Sequence, residues 1–237
     1  MTTNTMPRRL PRWLLALTIT PLLRWAIAVH SVPDDEPWRT ACSCGRPLWA
    51  STTAPTGRCP GCGQRIGAPP YTVEVTTGIA ALALLLTGQT GWALAAYAWW
   101  TATMIVLVFV DLAAMLLPLR ISAASAAGFL GLLAAAGDPH AWRRAAVAAL
   151  TLGVLLGVLA VVARGQLGWG DVAVAVPLAA ALGWNSWSAV YAGVLLGFGS
   201  AALVAITLRR MGRLRSGAHL PLGPFLIGAA MTVLVWP

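Results

Sequence analysis

The 237 residues are 58% hydrophobic and only 10% charged, with a mean hydropathy of +0.75, far more apolar than a soluble domain of this size. The composition excludes an ordinary soluble globular fold and predicts an all-α polytopic membrane protein. The formal charge is +9 and all 16 basic residues are arginine, but they cluster between apolar segments as orientation signals do, which argues against nucleic-acid binding.

Eight apolar runs predict about eight transmembrane helices, near 13–29, 73–89, 91–117, 121–136, 145–163, 171–184, 187–207 and 222–236. Several of the twelve Trp flank these runs, as in an interfacial belt. The first run, interrupted by Pro21 and Arg24 and preceded by Arg8, Arg9 and Arg12, could be a cleaved signal peptide. No small-x-small cleavage site follows it, so residues 1–30 are read as an N-terminal membrane anchor. The sixth run is short for a full crossing. Small residues are dense in 121–136 and 145–163, which permits close helix packing.

Residues 31–72 form the one sizeable polar insert, a Pro-rich module with all four cysteines and too little core to fold unaided. Cys42-Ser43-Cys44 is followed, fourteen residues on, by Cys59-Pro60-Gly61-Cys62-Gly63. The second pair has zinc-knuckle spacing and the first is tighter than usual. Four thiolates can surround a tetrahedral Zn²⁺, whose binding would supply folding free energy; two disulfides or four free thiols are the alternatives. With the insert in the cytoplasm, ten arginines lie inside (39, 46, 58, 65, 120, 164, 209, 210, 213, 215) and five outside (8, 9, 12, 143, 144), with Arg24 in the first span. That balance obeys the positive-inside rule, although the N-terminal trio opposes it. A reducing cytosol favours structural zinc over disulfides.

Residues 73–237 hold the remaining seven runs and two intramembrane acids. Asp34, Asp35 and Glu36 lie in a polar stretch, Asp138 in a Gly-Asp-Pro turn and Glu74 at the start of an apolar segment. Asp111 and Asp171 are each followed by apolar sequence. A carboxylate in hydrocarbon costs kilocalories, so each marks a candidate functional site. Asp111 lies about two helical turns before Pro118, and Asp171 opens the sixth run, so both fall near the cytoplasmic side at similar depth. Gly168 and Gly170 would let the backbone leave helical geometry and leave room for an approaching chain. Two carboxylates held close share a proton and titrate as a pair: one activates water and the other polarises a scissile carbonyl. Two unrelated buried acids, each bonded to a helix or to an arginine, are the structural alternative.

Gly168-Trp169-Gly170-Asp171 resembles the Gly-x-Gly-Asp signature of intramembrane aspartic proteases. Four further features narrow the resemblance to the bacterial prepilin peptidases (type IV leader peptidases): Asp111 with Pro118 seven residues on, the paired cysteines between spans one and two, Tyr71-Thr72-Val73-Glu74, and Pro221-Leu222-Gly223-Pro224-Phe225-Leu226. The match runs in order over nearly the whole chain. It implies an enzyme of the bacterial cytoplasmic membrane that cuts the short basic leader from prepilins and pseudopilins at the cytosolic face, just before their hydrophobic helix. Asp111 and Asp171 would be the catalytic pair, and Gly168, Gly170 and Glu74 would be motif or substrate-binding residues. Many family members also N-methylate the new amino terminus with S-adenosylmethionine, a function associated with the cysteine loop. No nucleoside-binding motif is visible here.

The chain departs from the family pattern at Ala173, where a basic residue is usual, and at Leu119, where an acid is frequent. The shortened Cys-x-Cys pair bears on methylation more than on proteolysis. Glu74 is equally explained as a helix-start acid. His30, His140 and His219 read as solvated connection residues, and Asp34, Asp35 and Glu36 as a solvated turn or an attractor for a basic leader. A proton-coupled transporter using the two aspartates is the alternative from another class. It would leave the cysteine loop unexplained, and no inverted repeat or paired broken helices are visible. A non-catalytic scaffold with a zinc module is a third reading.

Overall fold

The computed structural model describes residues 16–33, 36–164, 167–213 and 221–236. Arg8, Arg9, Arg12, Asp34, Asp35, Arg215 and His219, named above, lie outside them. The described residues fold into helices: a 3₁₀ turn (Leu17–Ile19), then α1 (Thr20–His30), α2 (Leu48–Ser51), α3 (Thr72–Leu86), α4 (Gly91–Ala114), α5 (Leu119–Ala134), α6 (Pro139–Val162), α7 (Trp169–Asn185), α8 (Trp187–Arg210) and α9 (Gly223–Val235). Each of the eight apolar runs is helical over most of its described residues. Three helices, α4, α6 and α8, have 24 residues each and are long and apolar enough to cross a membrane. They reach about 36 Å, against a hydrocarbon core of about 30 Å. The others are shorter: α3, α5 and α9 are apolar helices of 10–17 residues, and α1 has 11.

Local sequence fixes the breaks. Pro21 sits in the first turn of α1, where its missing N–H costs nothing, so it starts a helix rather than interrupting one. Helix α4 ends where Met115 takes a left-handed conformation (φ 52°), and Pro118 caps the start of α5. Asp138 caps α6 by accepting from the amides of His140 and Ala141, which gives this acid a structural role.

Two helices are hubs. α7 touches α4, α5, α6, α8 and α9, while α4 touches α1, α3, α5, α7 and α9. Residues 177–183 of α7, Pro-Leu-Ala-Ala-Ala-Leu-Gly, are buried on every side, as expected of a helix that is small and apolar all round. The short sixth run is therefore a buried central helix. The small residues do permit close approach. A Cβ on Gly183 would stand 2.7 Å from Ala148 Cβ, and one on Gly153 would stand 2.9 Å from Val176 Cγ2, so α6 and α7 nearly touch backbones. At the far end from the acids, Arg144 donates to the carbonyls of Gly183, Trp184 and Asn185 and so closes the C-terminus of α7. Tyr97 on α4 donates to Ala181 O at 2.6 Å, tying the two hubs together.

Candidate active site and cysteine centre

The two hub helices carry the two acids. Asp111 lies in the last turn of α4 and is 4% exposed; Asp171 lies in the first turn of α7 and is half-buried. Leu117 joins their surroundings, since it packs against Gly170, next to Asp171, and against Gly223, beside Asp111. Asp111 Oδ2 accepts from Gly223 N at 3.1 Å, at the first residue of α9, where the helix has free amides and a partial positive charge.

Glycines make this meeting possible. A Cβ on Gly223 would stand 2.6 Å from Asp111 Oδ2 and 3.4 Å from Leu117 Cδ2; one on Gly170 would stand 2.8 Å from Leu117 Cβ. Leu117, in the break between α4 and α5, thus packs against both glycines, and a side chain at either would push apart the elements that hold the acids. Neither Gly168 nor Gly170 has a positive φ, Gly168 caps α7 in extended geometry, and Gly170 is helical, so the space it leaves is occupied by Leu117 of the same chain. The sequence named Gly223 only within a motif; its packing on the acid depends on contact between residues 112 positions apart.

Glu74 is drawn into an ion pair. Its two carboxylate oxygens accept from Arg24 Nε at 2.7 Å and Nη2 at 2.6 Å. Arg24, 3% exposed, also donates to the carbonyls of Ala68 and Pro69. The arginine that seemed to interrupt the first span therefore clamps α1 to α3 and to the end of the cysteine module. Glu74 is a structural partner in this clamp, in a geometry in which paired, hydrogen-bonded charges can be buried.

The cysteine module is built from two matching turns. Gly45 N donates to Cys42 O and Gly63 N to Cys59 O, both at 2.8 Å, with Gly45 (φ 81°) and Gly63 (φ 71°) in the left-handed region that favours glycine. Each turn is pinched by one antiparallel bridge, Ala41 to Pro47 and Arg58 to Arg65. The four sulfurs lie within 4.8 Å of one another, with Cys42–Cys62 at 3.5 Å and Cys44–Cys59 at 3.7 Å. A tetrahedral ion with Zn–S of about 2.3 Å requires edges of roughly 3.8 Å, whereas a disulfide requires about 2.05 Å. All four cysteines are free thiols here, in an arrangement that fits a tetrahedral cation and not two disulfides. The amides of Gly61 and Cys62 lower the Cys59 thiol to about 6, and the Cys44 amide lowers Cys42. The Gln64 amide favours the Cys62 thiolate, but the crowding sulfurs, led by Cys42, outweigh it and leave that thiol raised to about 11. With four sulfurs at this spacing the cluster could hold a metal ion.

The module meets the helices through contacts between residues distant in the chain. The His30 and Trp38 rings pack tilted at 58° with centroids 4.7 Å apart, and the Arg120 guanidinium lies 5.3 Å from the Trp38 centroid. His30 therefore belongs to an aromatic-cationic contact instead of being free in solvent. His140 faces Arg143 at 3.0 Å, away from both centres.

These features define a helical membrane protein with an acid pair at the junction of its two hub helices and a tetracysteine module beside it. No family model and no solved structure matches the chain. Three curated relatives, each named prepilin leader peptidase/N-methyltransferase, are similar to it. The one from Aeromonas hydrophila is 28% identical over 238 residues, covering 86% of this chain and 77% of the relative. That of Burkholderia pseudomallei (strain K96243) is 32% identical over 217 residues, covering 83% and 66%. That of Aeromonas salmonicida is 27% identical over 232 residues, covering 86% and 75%. The chain belongs to the prepilin leader peptidase family.

Proposed function

We propose that the chain is a membrane-embedded aspartic endopeptidase that removes the leader peptide from prepilins or pseudopilins and N-methylates the newly exposed amino terminus. The observation that carries this reading is the convergence of Asp111 and Asp171 on the Leu117–Gly170–Gly223 contact, which brings two carboxylates from different helices to one end of the bundle. In the proposed reaction the ionised acid takes a proton from water as its oxygen attacks the scissile carbonyl carbon, and the protonated acid gives its proton to the carbonyl oxygen. The tetrahedral adduct then collapses: the C–N bond breaks, the leaving amine takes the proton that the first acid gained from water, and a hydroxyl of the adduct returns its proton to the second acid as the carboxyl product forms. The pair ends with its single shared proton restored.

Cys42, Cys44, Cys59 and Cys62 would hold a structural Zn²⁺, which folds the module; the methyl donor would be S-adenosylmethionine. Residues 1–30, 31–72 and 73–237 would serve as anchor, zinc module and peptidase domain. The arginine distribution supports a place in the bacterial cytoplasmic membrane with the acid pair at the cytosolic face. Co-expression with a prepilin and mass measurement of its N-terminus tests the reading. Loss of the leader and gain of a methyl group are expected, and an intact leader would overturn it.

A further inference from the structure

The two cysteine turns carry an unbalanced charge. From Cys42 to Arg65 the chain has three arginines, Arg46, Arg58 and Arg65, and no aspartate or glutamate. All three are exposed, and none has a carboxylate partner among the described residues, where the one ion pair is Arg24–Glu74. Arg58 and Arg65 stand opposite each other in the antiparallel bridge of the second turn, and Arg58 Nη1 donates to Gly63 O at 3.2 Å. Like charges directly opposite each other on paired strands are destabilising. Arg46 belongs to the first turn and reaches across to the second. A Cβ on Gly61 would meet Arg46 Nε at 3.5 Å, Cys44 Sγ at 3.6 Å and Cys59 Sγ at 3.7 Å, so a guanidinium and one sulfur from each turn converge over the bare backbone of Gly61.

We propose that Arg46 is the counter-charge of the cysteine metal centre: its guanidinium, seated over Gly61 beside Cys44 and Cys59, offsets the negative charge of a divalent ion held by four thiolates and so slows loss of the ion. This role rests on the metal reading of the cysteine cluster and is independent of the peptidase chemistry. Four thiolates around one divalent ion leave two net negative charges, and Cys44 and Cys62 expose the centre to solvent. An arginine suits the task because it stays charged at every working pH and its Nε–H and Nη groups are donors. The charges also match in the other direction. Uptake of the ion with release of four thiol protons lowers the charge of the two turns by two, which relieves the repulsion among Arg46, Arg58 and Arg65. Gly61 contributes by what it lacks, since a larger side chain there would fill the place where the guanidinium meets the sulfurs.

The test is the rate of zinc transfer from the purified full chain, in detergent and under reducing conditions, to the chromogenic chelator pyridylazoresorcinol. Arg46→Gln should release its zinc about fivefold faster than the unsubstituted protein in low salt, the size expected for one exposed unit charge near a centre of two. Arg46→Lys keeps the charge and should recover most of that loss, and the difference between the two variants should shrink as salt is raised. Arg39→Gln removes a charge that lies before the first turn and should release at the unsubstituted rate. In cobalt-loaded protein the thiolate-to-metal charge-transfer band should move in Arg46→Gln and stay in place in Arg46→Lys and Arg39→Gln. Unchanged release from Arg46→Gln, release from Arg46→Lys as fast as from Arg46→Gln, or an equal effect of Arg39→Gln would overturn the counter-charge. If the unsubstituted protein takes up neither zinc nor cobalt, the metal reading itself falls and the role of Arg46 with it; uptake with equal release rates throughout removes only the role of Arg46.

Discussion

At the scale of the residue, the acid pair depends on atoms that are absent. Gly223 accommodates the Asp111 carboxylate 2.6 Å from where a methyl group would stand, and its amide hydrogen-bonds the same oxygen. Gly223→Ala should therefore lower leader cleavage at least about tenfold, while the protein still inserts and its metal content is unchanged, because the neighbour that must move is the proposed catalytic acid itself. Cleavage kinetics beside metal analysis check this, and full activity in the alanine variant would show that Asp111 does not need this placement. The two aspartates were legible in the sequence because charge inside apolar runs is rare and costly. The roles of Gly170, Leu117 and Gly223 were not, because each is a contact between residues distant in the chain. Local spacing suggested both backbone freedom and open space at Gly168 and Gly170; that Leu117 packs at Gly170 is a contact no local pattern reports.

At the scale of the element, hydrophobic runs marked all eight longer helices, and proline and left-handed breaks set their ends. Hydropathy could not rank them: α7 looked like a short span and is the buried hub, and α1 looked interrupted at a residue that anchors it. The Arg24–Glu74 pair spans fifty positions, so no window over the sequence reports it. Arg24→Met leaves Glu74 charged and partly buried without its partner, and such a loss costs about 3–5 kcal/mol. Thermal unfolding in detergent should show that loss for Arg24→Met. The double variant Arg24→Met/Glu74→Met should recover a substantial part of it, since a buried pair is replaceable by apolar groups of similar size. A double variant as unstable as the single would mean that the arginine's bonds to Ala68 and Pro69, and not the ion pair, hold the clamp.

At the scale of the whole molecule, a small module with little core of its own is joined to a membrane bundle through Arg24, the His30–Trp38–Arg120 contact and α1. Purified protein should carry one Zn²⁺ per chain. Removing it with a chelator should make residues 36–70 protease-sensitive while the bundle stays protected, as limited proteolysis would show; protein purified under reducing conditions without zinc would contradict the account. Reporters fused at residues 53 and 213 should both read as cytosolic, and a periplasmic signal from the first would remove the reducing environment that the thiols need. The cysteine spacing made this centre legible in the sequence, whereas the docking of the module on the helices arises only in three dimensions. In the proposed mechanism Asp111 and Asp171 act as one catalytic unit. Its most direct test is the N-terminal mass of a prepilin co-expressed with the unsubstituted chain, Asp111→Asn, Asp171→Asn and the double variant. An amide nearly matches the carboxylate in size but cannot take the proton from water, so each single variant should leave the leader in place and the double should be no worse than either. Normal processing by either single variant would remove that aspartate from the pair and contradict the mechanism.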